Sequence, residues 1–197
     1  MRTKSKVRAY NHQIEGLLPR RCVLTGGRCT LISEKIRRDS LISRQPYAFI
    51  IRPYDDECLD MELKCKKIIN INYCIARNAN TTEGGPQFKD IATILAKDDS
   101  TIGSGYCQIC SLCLYAYFGV ADITYLNPNV FIEIGLMFAF GKPVILTLDI
   151  RTTSLHEVPF DLRGLLLVTH RNTHELEIGL KGKVSSVIAE LEDKKLL

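Results

Sequence analysis

One carboxylate, Glu133, lies within an otherwise apolar segment. Residues 129–140 read NVFIEIGLMFAF and contain no other ionisable side chain. Asn127 can cap a helix, Pro128 suits a first helical position, and Gly141 can end the helix, so the pattern predicts a buried helix. A carboxylate inside such a helix requires a partner or has a chemical task. An ion pair with Arg52 or Lys142 would be its structural explanation.

Two further polar candidates lie at the ends of predicted strands, where ligands bind in open α/β sheets. Asp122 ends one apolar run, and its structural alternative is a turn carboxylate beside Thr124. Arg52 ends another, and its guanidinium could hold a phosphate through two parallel hydrogen bonds. An ion pair with Asp56 is the alternative for Arg52.

A fourth candidate is the small-residue loop Gly103-Ser104-Gly105, just before a predicted helix. Backbone amides at a helix start can bind phosphate, so Ser104 and Gly105 are predicted substrate contacts. A plain flexible loop explains the same residues.

The chain contains eight cysteines. Cys107, Cys110 and Cys113 recur at every third position of one predicted helix, and thiolates from one continuous helix cannot complete a zinc tetrahedron. Cys22 and Cys29 are the available additional ligands. The main prediction is no cofactor and no metal, with cysteines packed as small apolar side chains. The alternative is a zinc site made of Cys22, Cys29, Cys107 and Cys110.

Composition indicates a folded protein of the cytoplasm. Hydrophobic residues make up 46% and charged residues 24% of 197 residues, as in ordinary globular proteins. No apolar run is long enough to span a membrane, and the basic start lacks the apolar core of a signal peptide. We therefore expect no membrane association and mostly reduced thiols.

Charge divides the chain into two zones. Residues 1–45 hold eleven Lys or Arg and three Asp or Glu, a net charge of +8, whereas the remainder holds fifteen and nineteen, a net charge of −4. We interpret 1–45 as a basic, cysteine-containing extension and 46–197 as the main domain. The extension could bind nucleic acid. Docking on its own acidic domain is the favoured interpretation, because the extension has few aromatic side chains that could stack on bases.

Strand and helix patterns alternate through the main domain. Strands are predicted at residues 47–51, 73–76, 120–124, 144–148 and 165–169. The main helices are predicted at residues 55–69, 88–95, 106–117, 129–140 and 173–191, with a short helix or turn at 154–162. Strands separated by helices imply right-handed crossovers and a parallel sheet, so the predicted class is α/β.

Together these motifs resemble the nucleoside 2-deoxyribosyltransferase-like superfamily over residues 46–170. The matching residues are Arg52-Pro53-Tyr54, the loop 103–105, Asp122-Ile123, Asn127-Pro128-Asn129, Glu133-x-Gly135 and Gly141-Lys142-Pro143-Val144. The resemblance implies a flavodoxin-like three-layer sandwich with a parallel sheet of about five strands. It also implies cleavage or transfer of an N-glycosidic bond in nucleosides or nucleotides. The same neighbourhood includes Toll/interleukin-receptor-like domains, some of which hydrolyse NAD.

The resemblance implies a role for each candidate. Glu133 occupies the position of the superfamily's nucleophile, which attacks C1′ of the sugar. Asp122 would assist the leaving base, and Asn129 would orient a sugar hydroxyl or Glu133. The transferases usually carry an acidic residue ahead of this helix, where the chain has Asn127 and Asn129.

Three functions stay open at the level of the sequence. The first is an N-glycosidase or deoxyribosyltransferase-like enzyme. The second is a non-catalytic nucleotide sensor or a Toll/interleukin-receptor-like NAD hydrolase, and the third is a nucleic-acid-associated protein. A homo-oligomer is also expected, because the 129–140 helix is predicted to expose Phe131, Met137, Phe138 and Phe140.

Overall fold

The computed structural model of the protein describes residues 47–53, 75–78 and 104–194. Two strands come first, β1 (Tyr47–Ile51) and β2 (Ile75–Asn78). The remaining elements follow one another closely along the chain: α1 (Ser104–Tyr115), β3 (Phe118–Asp122), α2 (Pro128–Ala139), β4 (Val144–Asp149), α3 (Phe160–Arg163), β5 (Leu166–His170) and α4 (Thr173–Asp193). The basic extension, residues 1–45, lies outside the described residues, as do the helices predicted at 55–69 and 88–95.

All described strand pairings are parallel, and the strands lie side by side in the order β2-β1-β3-β4-β5. Strand β3 pairs on both sides with residues that are distant in sequence: Ile51 pairs with Ala121, and Gly119 pairs with Val144. The predicted α/β class with a parallel sheet is therefore confirmed. Among the described helices, none combines the length and apolarity that crossing a membrane requires.

Helices cover both faces of the sheet. A Cβ added at Gly119 would lie 3.1 Å from Cε of Met137, so α2 packs on the face to which Gly119 belongs. Gly119 pairs with Val144, and Val168 pairs with Thr147, three residues beyond Val144. Because successive strand residues alternate between faces, Val168 belongs to the opposite face. It contacts α4 there, and α1 packs beside α2.

Helix α2 begins and ends as its sequence predicts. The Asn127 side chain accepts a hydrogen bond from the Asn129 N–H, and Pro128 occupies the first turn. At the other end Gly141 has a φ of 66°, in the left-handed region. Its N–H and that of Lys142 return to the carbonyls of Phe138 and Met137, which closes the helix with a Schellman motif.

The apolar interior is formed by the strands and the facing sides of the helices. Its largest fully buried side chains are Phe49, Phe118, Ile50, Ile51, Leu114, Ile123, Ile134, Met137, Ile145, Leu146 and Leu148. Met137 was expected to be exposed, and that expectation is wrong. It lies over Gly119, whose missing side chain leaves room for the methionine.

Candidate functional site

Glu133 lies on the buried stripe of α2. Val130, Ile134 and Met137 share that stripe, at the three- and four-residue spacing of one helix face. Only 6% of Glu133 is exposed. The carboxylate predicted from the sequence is therefore held against the interior of the protein, in the second turn of the helix.

Burial raises the pKa of Glu133 from 4.5 to about 7. The cause is the loss of solvation of the charged form, whereas a cation in contact with the carboxylate would lower the pKa. Burial likewise disfavours the charged form of Lys142 and lowers its pKa to about 8. An ion pair between these two side chains would instead lower the pKa of Glu133 and raise the pKa of Lys142. The ion-pair explanation of Glu133 therefore has no support among the described residues.

Cys113 of α1 lies beside this position. Its Sγ donates a weak hydrogen bond to the backbone oxygen of Glu133 at 3.8 Å. Burial, followed by the charges of Glu133 and Cys110, raises the pKa of the Cys113 thiol. Cys113 is therefore a neutral thiol that packs where α1 meets α2, and not a nucleophile.

Asp122 ends β3 and is buried. Its Oδ1 accepts a hydrogen bond from the Thr124 N–H at 2.9 Å. The turn role considered for this carboxylate is thus present in the structure. Asp122 lies three residues beyond Gly119, so its side chain belongs to the face covered by α4. Glu133 approaches from the face covered by α2, and a ligand that meets both must extend across the end of β3.

Thr124 joins the segments that follow β3 and β4. Its Oγ1 accepts a hydrogen bond from the Asp149 N–H at 3.0 Å, and its carbonyl accepts one from the Thr153 hydroxyl at 2.5 Å. The Thr124 N–H is already bound to Asp122. All three polar groups of Thr124 are therefore satisfied, which fixes the wall of the site at the carboxyl ends of β3 and β4.

Two polar residues at the same edge were not singled out from the sequence. Asp149 ends β4 and His170 ends β5, and the two are paired in register. His170 lies two residues beyond Val168, so it shares the α4-covered face with Asp122. The charges of Asp149 and Asp122 both act on the pKa of His170. Their position along the chain could have identified these residues, since Asp122, Asp149 and His170 are each the last residue of a strand.

Arg52 directly follows β1. Since Ile51 pairs with Ala121, Arg52 comes to the level of Asp122 on the neighbouring strand. The Arg52 Nη1 donates a hydrogen bond to the backbone oxygen of Pro53 at 2.8 Å. Asp56, its proposed alternative partner, lies outside the described residues. The structure thus brings Arg52 to the edge where a phosphate contact was predicted.

The remaining predicted contacts lie at helix starts. Asn129 is exposed in the first turn of α2. Ser104 and Gly105 are the first residues of α1, which begins two residues earlier than the helix predicted at 106–117. The side chain of Ser104 lies outside the described part of the structure, so its proposed contact with phosphate stays a prediction.

The cysteine site stays a prediction. Neither Cys110 nor Cys113 forms a disulfide with a described residue. Cys22, Cys29 and the side chain of Cys107 lie outside the described residues. Within residues 47–53, 75–78 and 104–194, no three His, Cys, Asp or Glu side chains are arranged to hold a metal ion.

No protein-family model and no curated protein matches the sequence. The resemblance to the deoxyribosyltransferase-like superfamily therefore rests on the motif residues themselves.

Proposed function

We propose that the protein is a nucleoside- or nucleotide-binding α/β protein that cleaves or transfers an N-glycosidic bond, with Glu133 as nucleophile. We further propose a flavodoxin-like fold. The strand order β2-β1-β3-β4-β5 supports this fold, because it is the order of flavodoxin-like sheets. In that order the direction in which successive strands are added to the sheet changes between β1, which Arg52 follows, and β3, which Asp122 ends.

The observation that carries the proposal is the state of Glu133. It is a buried carboxyl group with no hydrogen-bonding or ionic partner for its side chain among the described residues, and its pKa is raised to about 7. Burying an ionisable group without compensation destabilises a fold. Such groups concentrate where their chemistry is used. The apolar helix around Glu133 offers no structural need for a carboxylate.

The proposed reaction has two steps. The ionised Glu133 forms a bond from a carboxylate oxygen to C1′, and the bond from C1′ to the base breaks, with its electron pair leaving on the base. A proton then reaches the base nitrogen from Asp122 or from water. In the second step water or another base attacks C1′, its proton passes to Asp122 or to solvent, and the bond from C1′ to Glu133 breaks to release the carboxylate. Water leads to hydrolysis, and a second base leads to transfer.

Arg52 and Asp122 would divide ligand recognition at this edge. The guanidinium of Arg52 suits a phosphate, and the oxygen of Asp122 that does not bind Thr124 would carry the proton that passes to the leaving base. Asn129, exposed at the start of α2, would contact a sugar hydroxyl. Each role follows from the chemistry of the group and its place at the carboxyl ends of the strands.

A sensor without catalysis is the second candidate, and the depth of Glu133 favours it. A side chain that is 6% exposed meets a sugar only if ligand binding opens the site around it. A protein that uses Glu133 as a neutral hydrogen-bond donor would bind a nucleotide without breaking it.

Incubation with a panel of nucleosides, nucleotides and NAD separates the two candidates. Free base should appear with at least one compound and accumulate in proportion to protein. Compounds that are cleaved should also bind, as measured by calorimetry. Binding without any release of base would replace the enzyme proposal by the sensor, and absence of both would remove both.

A further inference from the structure

Arg151 and Asp149 form an ion pair at the carboxyl end of β4. The Arg151 Nε donates to Oδ1 of Asp149 at 3.0 Å and its Nη2 donates to Oδ2 at 2.5 Å. The Arg151 backbone N–H also donates to Oδ1 at 2.9 Å. The Arg151 side chain is 64% exposed, whereas the Asp149 side chain is 14% exposed. Both carboxylate oxygens are thus engaged by a cation that lies largely in solvent.

His170 is the neighbour of this pair on β5. It pairs in register with Asp149, and its backbone oxygen accepts a hydrogen bond from the Ile150 N–H at 3.0 Å. The Nδ1 of His170 is buried and has no hydrogen-bond partner among the residues that the structure describes. A neutral imidazole tolerates the missing partner. Its unprotonated ring nitrogen is only a hydrogen-bond acceptor and has no N–H to satisfy.

Protonation changes that requirement. Both ring nitrogens of an imidazolium are donors, and a buried N–H without an acceptor is costly. The charged groups acting on the ring come from three elements and one loop: Asp149 on β4, Asp122 on β3, Glu175 on α4 and Arg151 after β4. Asp149 is the one paired with His170 in register, but Arg151 holds both of its oxygens.

We propose that His170 and Arg151 compete for Asp149, so that protonation of His170 transfers the carboxylate from the guanidinium to the imidazolium. The proton comes from solvent, and no covalent bond other than N–H changes. The hydrogen bonds from the Asp149 N–H to Thr124 Oγ1 and from the Ile150 N–H to the His170 carbonyl hold the end of β4 in place. The exchange therefore involves the side chains of Asp149, His170 and Arg151 and the hydrogen bond from the Arg151 N–H to Oδ1, and it releases the Arg151 guanidinium toward solvent.

The direction of the pH dependence follows from burial. Burial lowers the pKa of His170 below 6.5, and the charges of Asp149, Asp122 and Glu175 offset part of that shift. The hydrogen bonds from Arg151 lower the pKa of Asp149 below 3.8, so the carboxylate stays ionised while His170 titrates. We therefore expect the Arg151 guanidinium to stay bound to Asp149 at neutral pH and to be released in mild acid. This consequence is independent of the proposed glycosidic chemistry.

Nuclear magnetic resonance of the full-length protein tests the exchange. The ring signals of His170 and the Nε–H signal of Arg151 are followed between pH 4.5 and 8. We expect the Arg151 Nε–H to lose its protection from solvent at the pH at which His170 titrates. A His170→Gln variant should keep that protection to the lower end of the range. His174→Gln, which changes an exposed histidine of α4, should titrate like the wild type.

An Arg151 signal that stays unchanged while His170 titrates would overturn the proposal. So would a release of Arg151 that persists at the same pH in the His170→Gln variant. If that variant does not fold, coincidence of the two wild-type midpoints supports the exchange, and separated midpoints exclude it.

Discussion

The side-chain oxygen of Thr124 accepts a hydrogen bond from the backbone N–H of Asp149 at 3.0 Å. Thr124 follows β3, Asp149 ends the neighbouring parallel strand β4, and the Thr153 hydroxyl from the segment after β4 donates to the Thr124 carbonyl. Thr124 is buried. One hydroxyl group therefore holds together the segments that carry Asp122 and Asp149.

Replacing Thr124 with Val keeps the shape of the side chain and removes the acceptor. The Asp149 N–H is then left without its partner, so the free energy of unfolding should fall by about 1–3 kcal/mol. Thr124→Ser keeps the hydroxyl and should lose less. Urea denaturation measures both variants, and equal stability of Val and wild type would show that the bond contributes nothing.

Two glycines of α4 offer a matched test of the packing of α4 on β5. A Cβ at Gly179 would lie 2.5 Å from Cγ1 of Val168, whereas a Cβ at Gly182 would meet nothing within 4 Å. Gly179→Ala should destabilise the protein by about 1–3 kcal/mol through overpacking. Gly182→Ala should stabilise it by up to about 1 kcal/mol, because alanine is the better helix former.

Thermal and urea unfolding of these two variants give the comparison. Adding Val168→Ala to Gly179→Ala should recover part of the loss, because it removes the methyl group that the new Cβ meets. Two alanine variants of equal stability would mean that α4 does not lie against Val168 in solution.

The outward side of α2 leads us to propose a homo-oligomer. Ile132 is 44% exposed and Phe138 is 40% exposed, with Gly135 open between them. Light scattering at micromolar concentration should give a mass above 22 kDa, and Phe138→Glu should lower it toward the monomer. Ile178→Glu changes a residue of α4 that is 61% exposed and should leave the mass unchanged. A wild-type monomer would contradict the proposal.

The sequence predicted the central part of the fold better than the site. Around α2, the capping asparagine, the proline and the closing glycine are local signals, and their hydrogen bonds match the prediction. Strand β2 was predicted at 73–76 and lies at Ile75–Asn78, since short apolar runs do not define their own limits. The predicted exposure of Met137 was wrong because the burial of this side chain depends on Gly119, a strand residue eighteen positions away.

The arrangement of the site depends on pairing that no single segment contains. Asp122 and Glu133 belong to one continuous motif, yet the strand register places Asp122 on the face opposite to α2. His170 joins Asp122 and Asp149 only because β5 lies beside β4. Periodicity predicts which residues face inward, whereas these proximities arise from strand order.

The pH profile of base release should follow the ionisation of Glu133. A nucleophile must be ionised, and the pKa of Glu133 is about 7. We therefore expect kcat to rise with pH and to level off above that value. Stability should change in the opposite direction. The folded state binds the proton more tightly than the unfolded chain, whose carboxyl has a pKa of 4.5, so the contribution of Glu133 declines from pH 4.5 to 7.

Steady-state rates and urea denaturation across pH 4.5 to 9 check both trends. Glu192→Gln, an exposed change in the last turn of α4, should leave both profiles unaltered. A rate that is constant through pH 7, or that falls as pH rises, would assign the catalytic ionisation to another group.

Comparison of wild-type protein with Glu133→Gln tests the central claim most directly. The variant keeps the size and hydrogen-bonding capacity of the side chain and removes the nucleophile. With the compound that the wild type cleaves, base release should fall by roughly three orders of magnitude or more while binding survives, because a nucleophile acts in the transition state. Ordinary turnover by a folded Glu133→Gln variant would contradict the account.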